Sequence, residues 1–146
     1  MSDPTPTYTS APRHKGVRTV GLLSIIAGLV LIVAGAATWW VVTDQLAAQN
    51  ITVSEDADWF GGDQVNGPLT AYSQAQIIDK HALEATGGKT YAELEQDDPL
   101  RETAMNASFL RASLFTSVVA YGVALFAAGM GLMWILMGWS LRKLTT

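Results

Sequence analysis

The chain has 146 residues, 49% hydrophobic and 15% charged, with a formal net charge of −4 and no cysteine. A soluble domain of this size ordinarily carries about 25% charged residues; here Asp, Glu, Lys and Arg are missing altogether from residues 19–43 and 112–141. About 20 apolar residues cross a bilayer as a helix, so both runs read as transmembrane spans, against a soluble enzyme. The absence of cysteine excludes disulfides, thiolate metal sites, iron–sulfur clusters, covalently attached haem and a lipoprotein anchor.

Residues 1–18 are a Pro/Thr/Ser-rich tail that reads as disordered, with Arg13, Lys15 and Arg18 against Asp3. Span one, 19–43, ends at Trp39-Trp40, rings suited to the membrane–water boundary. The basic tail and Ala34-Gly35-Ala36 imitate a signal peptide, but the apolar run is too long for one. Residues 44–111 form an acidic loop with twelve Asp or Glu against four Lys or Arg. Span two, 112–141, would be about 45 Å long at 1.5 Å per residue. That exceeds a hydrocarbon core of about 30 Å, so its Ser/Thr-bearing start is placed outside the bilayer. Phe109 and Phe115 mark its outer end, Trp134 and Trp139 its inner end, and the short terminus 142–146 carries Arg142 and Lys143. Basic flanks stay in the cytoplasm. The expectation is a multi-pass protein of the plasma (inner) membrane, with both termini cytoplasmic and the loop 44–111 extracytoplasmic. Arg111 is the one basic residue on the wrong flank.

Within the loop, Gln45–Gln49 continue helix one and Asn50–Val53 read extended. A helix from Pro68 repeats Leu69, Tyr72, Ala75, Ile78 and Ala82 at helical spacing and stops at Gly87-Gly88. Thr90-Tyr91-Ala92-Glu93 is a capping box for a short helix. Asp97-Asp98-Pro99 starts a last helix, which meets no breaker on its way into span two. Apolar residues available for a loop core are Ile51, Val53, Trp59, Phe60, Val65, Leu69, Tyr72, Ile77, Ile78, Leu83, Tyr91 and Leu94. Without disulfides such a core is marginal, so part of it should rest on the helix extensions or on another protein. The fold class expected is an all-α membrane protein: a two-transmembrane antiparallel helical hairpin with a small, mostly helical exported domain.

Glycines recur seven apart: Gly28 and Gly35 in span one, Gly122 and Gly129, and Gly131 and Gly138, in span two. Small residues let helix backbones approach in lipid, and a seven-residue period suits a left-handed pair. These six glycines are the candidate positions for helix packing or for a partner helix; Trp39, Trp40, Trp134 and Trp139 are the candidate interface anchors.

Chemistry-bearing patterns are few. Asp56-x-Asp58-x-x-Gly61 imitates the start of a calcium loop, but its fifth position is Phe60 and its twelfth Gly67, where a carboxylate is required; a solvated acidic loop is the plainer reading. His81 and Glu84 share a helix face, too few ligands for a metal site, and a surface histidine is the plainer reading. Asn50-Ile51-Thr52 and Asn106-Ala107-Ser108 match glycosylation sequons. Phosphate loops, nucleophile elbows and nucleic-acid patches are absent. Tyr121 is the sole ionisable residue in the spans, which argues against transport by this chain alone. No catalytic residue, cofactor or metal is assigned.

Residues 66–123, NGPLTAYSQAQIIDKHALEATGGKTYAELEQDDPLRETAMNASFLRASLFTSVVAYGV, resemble a family of small two-span actinobacterial membrane proteins, and the resemblance extends over about residues 50–138. The family is often described as aromatic ring-opening dioxygenases. Such iron sites typically use two histidines and a carboxylate on one metal. Here His14 and His81 are the only histidines, and the expected topology puts them on opposite sides of the membrane, so that activity is rejected. The chain also resembles accessory subunits of the actinobacterial respiratory supercomplex of cytochrome bc complex and cytochrome oxidase. A hairpin with small-residue faces, a marginal exported domain and no catalytic constellation make a non-catalytic accessory or assembly subunit of a larger plasma-membrane complex the leading expectation, with that integral membrane complex, for which the resemblance suggests the supercomplex, and membrane lipid as partners, no nucleic acid, and no small-molecule substrate identified. An envelope sensor or scaffold, and a metal-binding enzyme using His81 and nearby carboxylates, are the alternatives.

Overall fold

The computed structural model describes residues 14–144. Among them are three α-helices and no strand: α1 (His14–Ala48), α2 (Pro68–Ala85) and α3 (Arg101–Lys143), with a 3-10 turn at Tyr91–Glu93. Helices α1 and α3, of 35 and 43 residues, are long and apolar enough to cross a membrane. Both exceed the roughly 20 residues that a bilayer core requires.

The last five residues of the expected disordered tail, 14–18, are helical instead. After Pro12 only Gly16 interrupts helix-compatible residues, so the helix starts ahead of the apolar run. The remainder of the tail reading, with Arg13, lies outside the described residues. Helix α3 runs without a break from the loop through the whole second apolar stretch.

The helix ends follow local chemistry. Asn50 closes α1 in the left-handed region (φ 51°), a conformation asparagine tolerates. At the end of α2, Gly88 N–H donates to Leu83 O (2.7 Å) and Gly87 N–H to Glu84 O (3.5 Å), with φ of 86° and 64°. Those two bonds define a Schellman stop. Thr70 Oγ1, in the first turn of α2, accepts from Asn66 and Gly67 N–H at 3.2 Å each. The expected short helix after Thr90 is a single 3-10 turn. Both Thr90 N–H and its hydroxyl donate to Glu93 (2.8 and 2.7 Å), the first being the return bond of the expected capping box.

The chain divides into two compact units, one of residues 14–33 with 128–144 and one of residues 34–127. In the second, residues 51–65 form a narrow antiparallel ribbon. Val53 N–H donates to Asp63 O and Val65 N–H to Ile51 O, each at 2.8 Å. The ribbon turns Val53 and Val65 fully inward, onto Leu46 of α1, Ala71 and Ala75 of α2, and Leu114 and Tyr121 of α3. Burial of each valine stabilises this unit by roughly 1.5–3 kcal/mol.

Two core expectations are corrected. Leu69 and Tyr72 are not on the buried face of α2, and Trp59, Phe60 and Tyr91 are exposed; Trp59 is 72% exposed and Leu69 64%. The buried face runs through Ala71, Ala75 and Ile77. Small side chains there let the α2 backbone lie close to its neighbours, and the bulky residues are turned outward.

Candidate functional site

The glycine positions separate into two groups. In the unit of residues 14–33 and 128–144, Gly28 meets Gly131 and Gly21 meets Gly138. A Cβ added to Gly131 would lie 2.5 Å from Gly28 O, and one on Gly21 would lie 2.8 Å from Gly138 O. Ile25, Ile32 and Ile135 close over these contacts. Backbones this close exchange dispersion and Cα–H···O contacts that any side chain would prevent. Gly122 and Gly129, by contrast, have nothing within 4 Å of an added Cβ. The difference is helical geometry: Gly129 and Gly131 are two residues apart, about 200° around the axis, so only one of the two glycine rows can face α1. Gly35 is buried.

In the unit of residues 34–127, the hydroxyl of Tyr121 joins three segments. It donates to Asn66 O (3.3 Å) and lies 2.8 Å from Thr43 Oγ1. A phenol has one proton; with that proton on Asn66 O, Thr43 supplies the proton of the second bond. Tyr121 is 1% exposed, and the edge of Trp39 packs on it with ring centroids 4.7 Å apart. Trp39 thus has a structural contact as well as partial exposure, while Trp40 points outward. Trp134 and Trp139 are exposed, and Lys143 Nζ sits 4.2 Å from the Trp139 ring centre.

The outward-turned aromatics form a groove. Trp59, Phe60, Leu69, Tyr72, Ile77 and Lys80 line a cavity of about 480 Å³. Its wall is set by the ribbon tip, where Phe60 adopts φ 62°, a strained conformation for a bulky residue. Three side-chain bonds hold the tip to α2. Ser73 Oγ donates to Trp59 O, Ser54 N–H donates to Gln74 Oε1, and His81 Nε2–H donates to Asp56 Oδ2 at 2.7 Å. Below the groove Tyr72 meets Phe115 edge-on at 5.8 Å. Arg111 reaches Asp79 of α2 (3.2 Å) and lies over Phe115, which gives this cation a structural partner.

The hydrogen bond from His81 holds the Asp56 carboxyl below its ordinary value. His81 therefore pairs across 25 residues with Asp56. Among the described residues no group of three or more His, Cys, Asp or Glu side chains is placed to hold a metal ion. Asp56 carried no local signal for this pairing. Gly21 did carry one, since Gly21, Gly28 and Gly35 make a single seven-residue series. Thr43 and Asn66 were unreadable, because their roles depend on where Tyr121 lands. Comparison of the chain with protein-family models, curated proteins and solved structures returns no match.

Proposed function

We propose that this protein is a non-catalytic accessory or assembly subunit of a larger plasma-membrane protein complex. In this reading α1 and α3 form an antiparallel transmembrane hairpin, both termini are cytoplasmic, and residues 44–111 lie outside. The Gly21–Gly138 and Gly28–Gly131 contacts, made in opposite chain order, support the hairpin. The basic flanks and the acidic loop support the orientation. The resemblance to respiratory supercomplex subunits makes the cytochrome bc–cytochrome oxidase assembly the partner to test first.

The observation that carries the proposal is the groove of Trp59, Phe60, Leu69 and Tyr72. Open aromatic clefts with a polar rim are the anchor points of protein interfaces, and the buried core of this unit does not use these side chains. The outward glycines of α3, Gly122 and Gly129, leave room for a neighbouring helix to approach.

A photo-crosslinking residue at Tyr72, in native membranes, tests the reading. It should join the chain to one larger membrane protein, and Trp59→Ala should abolish the adduct while leaving insertion intact. A chain that crosslinks only to lipid, or not at all, removes the accessory-subunit reading. Orientation is read separately: cysteine at Ser73 should react with an impermeant reagent on intact cells and cysteine at Ser10 should not. The rival metal-binding reading requires stoichiometric metal in the purified protein that is lost with His81→Ala.

A further inference from the structure

The groove between the ribbon tip and α2 has two unlike walls. On the tip side Asp58 stands beside Trp59 and Phe60; on the α2 side are Leu69, Tyr72, Gln76 and Lys80. Residues 54–63 contain Glu55, Asp56, Asp58 and Asp63 and no Lys or Arg. Asp56 is engaged by His81. Lys80 helps to lower the Asp56 carboxyl value, so the cation of the lining already lies in the field of that carboxylate. Glu55, Asp58 and Asp63 are exposed and have no cationic partner among the described residues. The Tyr72 hydroxyl accepts from Gln76 Nε2 (2.8 Å), which leaves its own proton for an acceptor outside the chain. Exposed aromatic rings thus stand next to carboxylates that this chain does not neutralise.

We propose that this groove holds a basic segment of the partner protein, an Arg or Lys flanked by an apolar side chain. The inference deepens the accessory-subunit reading and rests on it. The apolar side chain fills the cleft. The cation meets Asp58 at the rim and the exposed ring of Trp59, on which a guanidinium stacks. Charge selects among the possible occupants. A second copy would bring another stretch 44–111, with twelve acidic residues against four basic, to the same rim, and like charges across an interface repel. The chain's own basic ends, Lys15 and Arg18 and also Arg142 and Lys143, lie across the membrane in the proposed orientation. An acyl chain satisfies the rings but not the carboxylates. The complement that remains is a net-positive segment of another protein.

The full chain with p-benzoylphenylalanine at Tyr72, irradiated in native membranes, tests it when the joined peptide is sequenced by mass spectrometry. The adduct should fall in a segment of a larger membrane protein with Lys or Arg on its flanks. Asp58→Asn should lower the adduct yield roughly two- to fivefold, the worth of one exposed ion pair. Asp58→Lys should lower it further, because the rim then repels the segment. Glu95→Gln, outside the groove, should leave the yield unchanged. Asp58→Asn decides alone if Asp58→Lys fails to insert. An adduct on an acidic or uncharged segment of a membrane protein overturns this inference and leaves the accessory-subunit reading in place, as does a yield indifferent to Asp58. An adduct on a second copy, or on the chain itself, overturns the inference by naming a different occupant. Absence of any protein adduct overturns both readings.

Discussion

The unit of residues 14–33 and 128–144 and the unit of residues 34–127 are held together by opposite means. In the first, backbones touch at Gly21–Gly138 and Gly28–Gly131, and large apolar side chains such as Leu23, Val30, Met133 and Leu136 point outward. In the second, valines, alanines and a tyrosine are buried, and side-chain hydrogen bonds join the segments. Close backbone approach is the packing that serves helices with no hydrophobic force between them. Burial of apolar side chains is a different driving force, and there each buried polar group must find a partner. One chain thus carries two packing rules, and substitutions should separate them.

The largest effect should come from filling the glycine contact. Gly131→Leu or Gly28→Leu drives a side chain into an opposing carbonyl, and the two helix backbones must part. We expect a loss of about 3 kcal/mol, the upper range for overpacking, read as unfolding in mixed detergent micelles. Gly129→Leu, into open space, should change stability by no more than about 0.5 kcal/mol and act only where a partner helix is present. Equal losses at 129 and 131 would mean that the two rows are not distinguished as the geometry requires.

A middle-sized effect belongs to the buried hydroxyl. Tyr121→Phe leaves Asn66 O and Thr43 Oγ1 short of a partner and should cost about 1–2 kcal/mol. Adding Thr43→Val removes one of the stranded groups, so the double variant should be more stable than the sum of the singles, by at least about 0.5 kcal/mol. Thermal unfolding followed by the emission of the chain's tryptophans, Trp39 among them, measures this. Strict additivity would mean that the two hydroxyls are not coupled.

These contrasts also explain what was readable beforehand. The long helices were legible because an uncharged run of 25 or more residues has few alternatives, and the stop of α2 because Gly87-Gly88 supplies two left-handed positions. The choice between the Gly122/Gly129 and Gly131/Gly138 rows was not legible: both have the same period, and the sequence does not say which face meets α1. The outward turn of Leu69 and Tyr72 was not legible for a related reason. The apolar series Leu69, Tyr72, Ala75, Ile78 and Ala82 drifts round the helix: its first two members face outward, whereas Ala75 is buried beside Ala71 and Ile78 packs on the core. Packing chose the alanines, because closeness of backbones outweighs side-chain size at that contact. The Asp56–His81 pair depends on the path of the ribbon tip, for which residue spacing holds no information.

The smallest effect concerns that pair, and it tests whether acid sensitivity belongs to one unit only. Residues 14–33 and 128–144 contain no Asp or Glu, so among the described residues every Asp and Glu carboxylate belongs to the other unit. The hydrogen bond from His81 is the main cause of the lowered Asp56 value. A carboxyl whose folded value is depressed binds fewer protons folded than unfolded between the two values. Its contribution to stability is therefore complete above the unfolded value, near pH 4, and is lost as pH falls through the lowered folded one. His81→Ala should return Asp56 towards its ordinary value, observable in a carboxyl-carbon NMR titration, with little change in stability at neutral pH. Glu93 supplies the control. Its lowering comes first from the Thr90 main-chain N–H and only then from the Thr90 hydroxyl, so Thr90→Ala should leave much of it in place. If Asp56 titrates identically with and without His81, the pair does not hold the ribbon tip against α2, and the groove wall rests on the Ser73–Trp59 and Ser54–Gln74 bonds alone.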